Sequence, residues 1–213
     1  MPFTHRILLL GGSGPTGQEL VRQALEQGHS VTALARRPER LKLQHARLRP
    51  FAADLRAAPE SLDQVLPEHD MVLSALGRGQ SLRAHGLMAR ATATLVAAMQ
   101  RHQVRRLVFL SAYGVDGTTP KTPFAFRMMF KLLLADIYAD KAIAEANVRA
   151  SSLDWTILAP VLLTKGPARR DYRMGEHLAI HGLARIARAD VADAMLRCLD
   201  DTTSLHKRYV VAP

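Results

Sequence analysis

The chain has 213 residues, 48% of them hydrophobic, with a mean hydropathy of -0.03 and a formal net charge of +10. That length supports one domain with a full core and excludes a nucleotide-binding domain joined to a large second domain. No run approaches the roughly 20 apolar residues of a membrane span, and the arginines are scattered rather than striped, so neither a membrane nor a nucleic-acid partner is expected.

The first apolar run, Ile7 to Leu10, breaks into Gly11-Gly12-Ser13-Gly14-Pro15-Thr16-Gly17 and resumes as a helical pattern with Leu20, Val21, Ala24 and Leu25 on one face. A buried strand, a glycine turn and a helix start form the entrance to a dinucleotide-binding unit. Side chains at the turn would obstruct a pyrophosphate, while the helix start offers free N–H groups and the positive end of its dipole. The chain enters this strand almost at once, leaving no room for a secretory signal, and a cytoplasmic address is expected.

Gly28 ends the helix, and Ser30 to Ala35 reads as a second strand followed by Arg36, Arg37 and Pro38. Enzymes that prefer NAD place an acidic residue about here, roughly 20 residues past the glycines, to accept from the ribose hydroxyls. Arginine instead pairs with a 2'-phosphate and lies against adenine, so Arg36 and Arg37 favour NADP.

Leu48 to Ala53 is a third strand leading to Asp54, which either accepts from the adenine amino group or caps the next segment. Pro59 to Leu66 is a short helix, and Asp70 to Gly77 a fourth strand with its terminal glycine. Gly77 lets the backbone pass close to the ribose or simply turns the chain. A long helix is predicted from Arg83 to His102. A fifth strand, Arg105 to Leu110, runs into Ser111-Ala112-Tyr113-Gly114.

Residues 123–150 are helical, and the apolar stretch Phe126 to Leu134 is expected to pack in the core or in a homodimer, with a protein partner as the other use. Trp155 to Leu158 is a sixth strand closed by Pro160. Thr164 to Ile186 shows no period and reads as a loop-rich lid, within an insertion around 161–188. Asp190 is expected to cap a last helix, Val191 to Leu199, and Arg208 to Val211 to form a final strand. Cys198, the single cysteine, sits in that helix as a small core residue. Strands alternating with helices imply a parallel sheet covered on both faces.

The ordered pieces resemble the atypical short-chain dehydrogenase/reductase family, the NAD(P)H-binding group with NmrA-like proteins and biliverdin-IXβ and flavin reductases. They are Gly11-x-x-Gly14-x-x-Gly17, Arg36-Arg37, Asp54, Leu76-Gly77, Phe109-Leu110-Ser111-Ala112, Lys141-x-x-x-Glu145, Leu153 to Pro160, Leu163-Thr164-x-Gly166-Pro167 and Ala189-Asp190-Val191-Ala192. The resemblance implies a single Rossmann-type domain, a doubly wound parallel sheet of order 3-2-1-4-5-6 plus a short final strand. It implies NADP(H) held by Gly11, Ser13, Gly14, Pro15, Thr16, Gly17, Arg36, Arg37, Asp54, Leu55, Ala75, Leu76, Gly77, Ser111, Lys141, Pro160 and Val161, with no metal.

Family members pair a tyrosine proton donor with a lysine four residues later, and a serine after the fifth strand polarises the carbonyl. Ser111 and Lys141 take the serine and lysine positions. The tyrosine position holds Ile137, so the candidate donors are Tyr138, three residues before Lys141 on a shared helix face, and Tyr113. The arginine that often precedes Pro160 is Ala159 here. The resemblance therefore implies an NADPH-dependent oxidoreductase acting on a small or planar acceptor such as a flavin, quinone or carbonyl. The alternative is a noncatalytic NADP-binding redox sensor with a protein partner. A nucleotide-sugar epimerase or dehydratase is disfavoured, because too little chain follows the sixth strand to form a substrate domain.

Overall fold

The computed structural model describes residues 4–41, 43–55, 57–77, 86–115 and 124–213, with 124–134 as backbone alone. Six strands pair in parallel: β1 (Arg6–Leu10), β2 (Ser30–Ala35), β3 (Leu48–Ala52), β4 (Met71–Ser74), β5 (Arg106–Leu110) and β6 (Asp154–Pro160). Between them run α1 (Pro15–Glu26), α2 (Ser61–Val65), α3 (Leu87–Arg101) and α4 (Phe124–Arg149). The predicted stretch Phe126 to Leu134 lies in α4, but its side chains fall outside the described residues, as does the predicted helix start at residues 83–85.

The chemistry of the strands explains why both faces are covered. Ile7 and Leu9 point to a core shared with α1, whereas Leu8 and Leu10 point to the opposite core with α2, α3 and α4. A strand whose successive residues are all apolar must bury both of its faces.

Residues 161–188 depart from the predicted loop. They carry β7 (Leu162–Thr164), β8 (Arg173–Gly175) and β9 (Arg185–Ala187), and β7 pairs in parallel with β9. Helix α5 (Arg188–Arg197) and strand β10 (Lys207–Ala212) follow. The main sheet runs β3-β2-β1-β4-β5-β6-β10-β8, as expected through β6 and then continuing, with β8 antiparallel at its edge. Three-residue strands leave no hydrophobic period to read, which is why the sequence showed only a loop.

Asp190 does not cap α5. The helix begins two residues earlier, after Ala187, and the Asp190 carboxylate accepts from the backbone N–H groups of Arg169 and Arg170 at 2.7 and 2.8 Å. One turn on, Asp193 accepts from the Tyr172 hydroxyl at 2.6 Å and from Arg170 Nε at 3.0 Å. Two carboxylates on one helix thereby fasten residues 169–172 to the domain.

At the amino end of β5 the side chain of Arg106 is half-buried. Its guanidinium donates to the carbonyl oxygens of Asp154 (2.7 Å), Leu199 (3.1 Å) and Cys198. The last two are at the C-terminus of α5, where the helix dipole is negative, so backbone charge stands in for a counter-ion. Cys198 is buried, and burial pushes its thiol up to about 11, consistent with a core role.

Two buried imidazoles set a pH limit on this fold. Burial lowers both His29 and His69 from the ordinary value of 6.5. The unfolded chain then binds more protons than the folded one below that value, so stability is full above it and declines as the pH falls. The melting temperature should hold at neutral pH and drop between about pH 6.5 and about pH 5, and His69→Gln should flatten part of that drop.

Candidate functional site

The carboxyl ends of β1, β2, β4, β5 and β6 converge on one edge of the sheet, and the glycine turn stands at their centre. Gly11 has φ +81, and a Cβ on it would lie 2.6 Å from the carbonyl oxygen of Ala75. Both the left-handed backbone and the tight approach to β4 require glycine there. A Cβ on Gly17 would collide with the carbonyl oxygen of Gly11 and sit 2.8 Å from Gly12 Cα, so α1 can seat on the turn only without a side chain. Gly12, which the sequence reading passed over, is held as tightly against Ala33 Cβ, at 2.9 Å.

Gly14 differs from these, since its added Cβ would meet only the Gly11 oxygen at 3.3 Å. It precedes Pro15 at the first position of α1, and no side chain caps the helix. Proline removes one N–H, and the next N–H groups have no intrahelical acceptor, so the helix start is an anion site in waiting. Ser13 is half-buried beside it, and Thr16 is buried. Uncapped N–H groups over a side-chain-free turn fit a pyrophosphate.

Arg36 and Arg37 follow β2 and are both exposed; neither pairs with a carboxylate among the described residues. Asp54 ends the third strand and turn with its carbonyl accepting from the N–H groups of Ala57 and Ala58 at 2.9 and 2.8 Å. Leu55 next to it buries its side chain in the core, which leaves only its backbone for a ligand. Ala75 and Leu76 are half-buried. A Cβ on Gly77 would meet nothing within 4 Å, so the protein's own packing does not demand glycine there.

β5 and β6 stay paired beyond the strand ends. The Ser111 N–H donates to Leu158 at 2.7 Å and that of Tyr113 to Pro160 at 2.9 Å, while on the other side of β6 the Val161 N–H donates to Val211 of β10 at 3.1 Å. Helix α4 is docked on this edge by three side chains. Lys141 Nζ donates to the Ser111 carbonyl at 3.1 Å. Its neighbour Asp140, buried, accepts from the N–H groups of Met88 and Ala89 at 2.9 Å each and so caps α3 from another helix. Gly86, the local cap position, has no side chain to do so.

The third is Glu145, one turn beyond Lys141 and also buried. It accepts from the Ser111 hydroxyl and pairs with Arg208 at 3.0 Å and Arg149 at 3.1 Å. Arg208 continues to the Ala112 carbonyl at 3.3 Å. The Ser111 proton is therefore directed to Glu145 rather than outward. Tyr138 is partly buried, and burial pushes its phenol up. Burial thus favours the neutral phenol of Tyr138, and the Ser111 hydroxyl is hydrogen-bonded to a carboxylate. Tyr113 packs at the edge of the core.

Replacing Glu145 with Gln keeps the shape but takes a buried carboxylate away from Arg208, whose side chain is 9% exposed. The substitution should cost about 3 kcal/mol in urea unfolding, and a loss below about 1 kcal/mol would show the network to be dispensable.

Comparison with known proteins gives one consistent picture. Residues 11–202 match the family model described as NAD(P)H-binding. The photosystem II assembly factor Ycf39 of Synechocystis sp. is 30% identical over 159 residues, 72% of this chain and 43% of that protein. The chain thus spans about half the length of the curated relatives it matches. A Veillonella parvula short-chain dehydrogenase/reductase crystallised with NADP superposes with a TM-score of 0.81 at 22% identity, covering 99% of this chain and 95% of that one. ChuY, an anaerobillin reductase from Escherichia coli O157:H7, gives 0.76 at 19% identity, covering 97% and 96%.

Proposed function

The chain belongs to the NAD(P)H-binding family, and on that premise we propose that it is an NADPH-dependent oxidoreductase reducing a planar acceptor, a quinone or flavin before a simple carbonyl. The observation that carries this reading is Lys141, whose ammonium group is fixed on the Ser111 carbonyl at the same sheet edge as the glycine turn. There it can hold a nicotinamide ribose and add positive charge where electron density accumulates on an acceptor.

Bound NADPH supplies a hydride. Gly14 and the start of α1 bind its pyrophosphate, Arg36 and Arg37 its 2'-phosphate, and Lys141 orients the ribose. Catalysis then rests on placing the acceptor over the nicotinamide. A quinone or flavin gains two electrons with the hydride and takes its remaining proton from water, without a poised phenol. That suits a site where Tyr138 is held neutral and Ser111 donates to Glu145.

Calorimetric titration should show NADPH binding at least about tenfold tighter than NADH, and Arg36→Ala should erase most of the difference. Equal affinity for the two would contradict the assignment of the arginines. Lys141→Ala should lower turnover of a quinone about a hundredfold while the fold persists.

A second reading is favoured by the same state of Tyr138 and Ser111 and by the likeness to an assembly factor: an NADP-binding sensor that passes redox state to a protein partner. Pull-down with and without NADP separates the two. Partner capture that ignores the cofactor counts against sensing.

A further inference from the structure

Lys141 and Glu145 stand four residues apart on α4, the spacing at which a lysine and a glutamate share a helix face and pair. Both touch Ser111: the ammonium group is on its carbonyl at 3.1 Å, and the carboxylate takes its hydroxyl. A buried carboxylate so close is a competing destination for the lysine, because charge without a partner is costly away from water. An ammonium group drawn to Glu145 would leave the Ser111 carbonyl, and the cofactor edge with it.

Glu145 is satisfied from other directions. Its Oε1 accepts from the Ser111 hydroxyl, and its Oε2 accepts from Arg208 Nε at 3.0 Å and from Arg149 Nη2 at 3.1 Å. The two arginines differ in their surroundings. Arg149 is 44% exposed and its charge is screened by water, whereas the side chains of Arg208 and Glu145 are 9% and 4% exposed. In the drier surroundings the attraction is stronger, so Arg208 is the cation that holds the carboxylate. Arg208 stands on β10 beside Ile157 of β6, and its guanidinium reaches past β6 to α4 and to the Ala112 carbonyl at 3.3 Å. Lys141 and Arg208 thus hold two successive carbonyls at the end of β5, with Glu145 between them.

We propose that Arg208 is a positioning residue for the cofactor: by occupying Glu145 it keeps the Lys141 ammonium group on the Ser111 carbonyl, where the nicotinamide ribose is held. The inference rests on the NADP(H) seat and the oxidoreductase reading above, and it adds to them a residue from β10 that acts only through Glu145.

Two ligands separate this role from general damage: NADP, which carries the nicotinamide ribose, and adenosine 2',5'-bisphosphate, which ends before it. In calorimetric titrations of the full chain, Arg208→Gln should weaken NADP about tenfold, as Lys141→Ala does, and leave the bisphosphate within about twofold of its original affinity. Adding Glu145→Gln to Arg208→Gln should restore most of the NADP affinity, because a neutral amide no longer attracts the ammonium group, and Arg208→Lys should retain it. An unchanged NADP affinity in Arg208→Gln, an equal loss for both ligands, or a double variant no better than the single one overturns the proposal. If Arg208→Gln does not fold, the double variant, whose facing groups are both neutral, decides: NADP affinity equal to the parent's supports action through Glu145, and a loss of about tenfold overturns it. NADP affinity that falls in Lys141→Ala and not in Arg208→Gln would remove the role of Arg208 and keep the cofactor seat, whereas indifference to Lys141→Ala would remove both. The predicted binding pattern without any NADPH oxidation by a quinone would keep Arg208 and remove the oxidoreductase.

Discussion

Everything at the ligand edge depends on how closely α1 approaches the turn before it. Gly17 rests against the Gly11 carbonyl, Gly11 against Ala75 on β4, and Gly12 against Ala33 on β2. Three successive close approaches leave no space for a Cβ and bring the start of α1 to the centre of the sheet edge. The dipole and the uncapped N–H groups are useful only there, because their effect fades within the first turn of the helix. Gly14, whose Cβ position meets the Gly11 oxygen alone, at 3.3 Å, is the glycine of the turn least pressed by the protein's own packing.

The second half of the site is built by one helix. Along α4, Asp140 caps α3, Lys141 holds the end of β5 and Glu145 takes the Ser111 hydroxyl while neutralising Arg208. These three contacts fix the axial position of α4, and with it the lysine. They also give the Ser111 hydroxyl a carboxylate partner within the protein. On the reading proposed above, such a site suits acceptors whose reduction needs orientation more than a proton donor.

Much of this was legible because it is periodic or local. The strands read as apolar runs, the glycine spacing reads directly, and Lys141 is found through the family resemblance, as the first residue of Lys141-x-x-x-Glu145. What escaped depends on contacts between distant residues. Asp140 meets Met88 across 52 positions and Arg208 meets Glu145 across 63, and no local pattern marks either pair. The lid strands escaped for another reason: three residues per strand are too few to show alternation. Asp190 read as a cap because of its place before an apolar helix, yet its carboxylate turned to the backbone of Arg169 and Arg170. Alternation of strands and helices gave the parallel sheet, while its order through β6 is the one that the family resemblance implies.

The central claim is that the cofactor bound at the glycine turn gives up a hydride at the Lys141 edge. An anaerobic single-turnover experiment addresses it most directly: protein loaded with NADPH is mixed with a quinone, and the reduced-nicotinamide absorbance is followed beside the same reaction with NADPH deuterated at the transferred position. The account predicts a saturable loss of absorbance that slows with deuterium. NADPH that stays bound and unoxidised in the presence of quinone, flavin and carbonyl acceptors alike would contradict it.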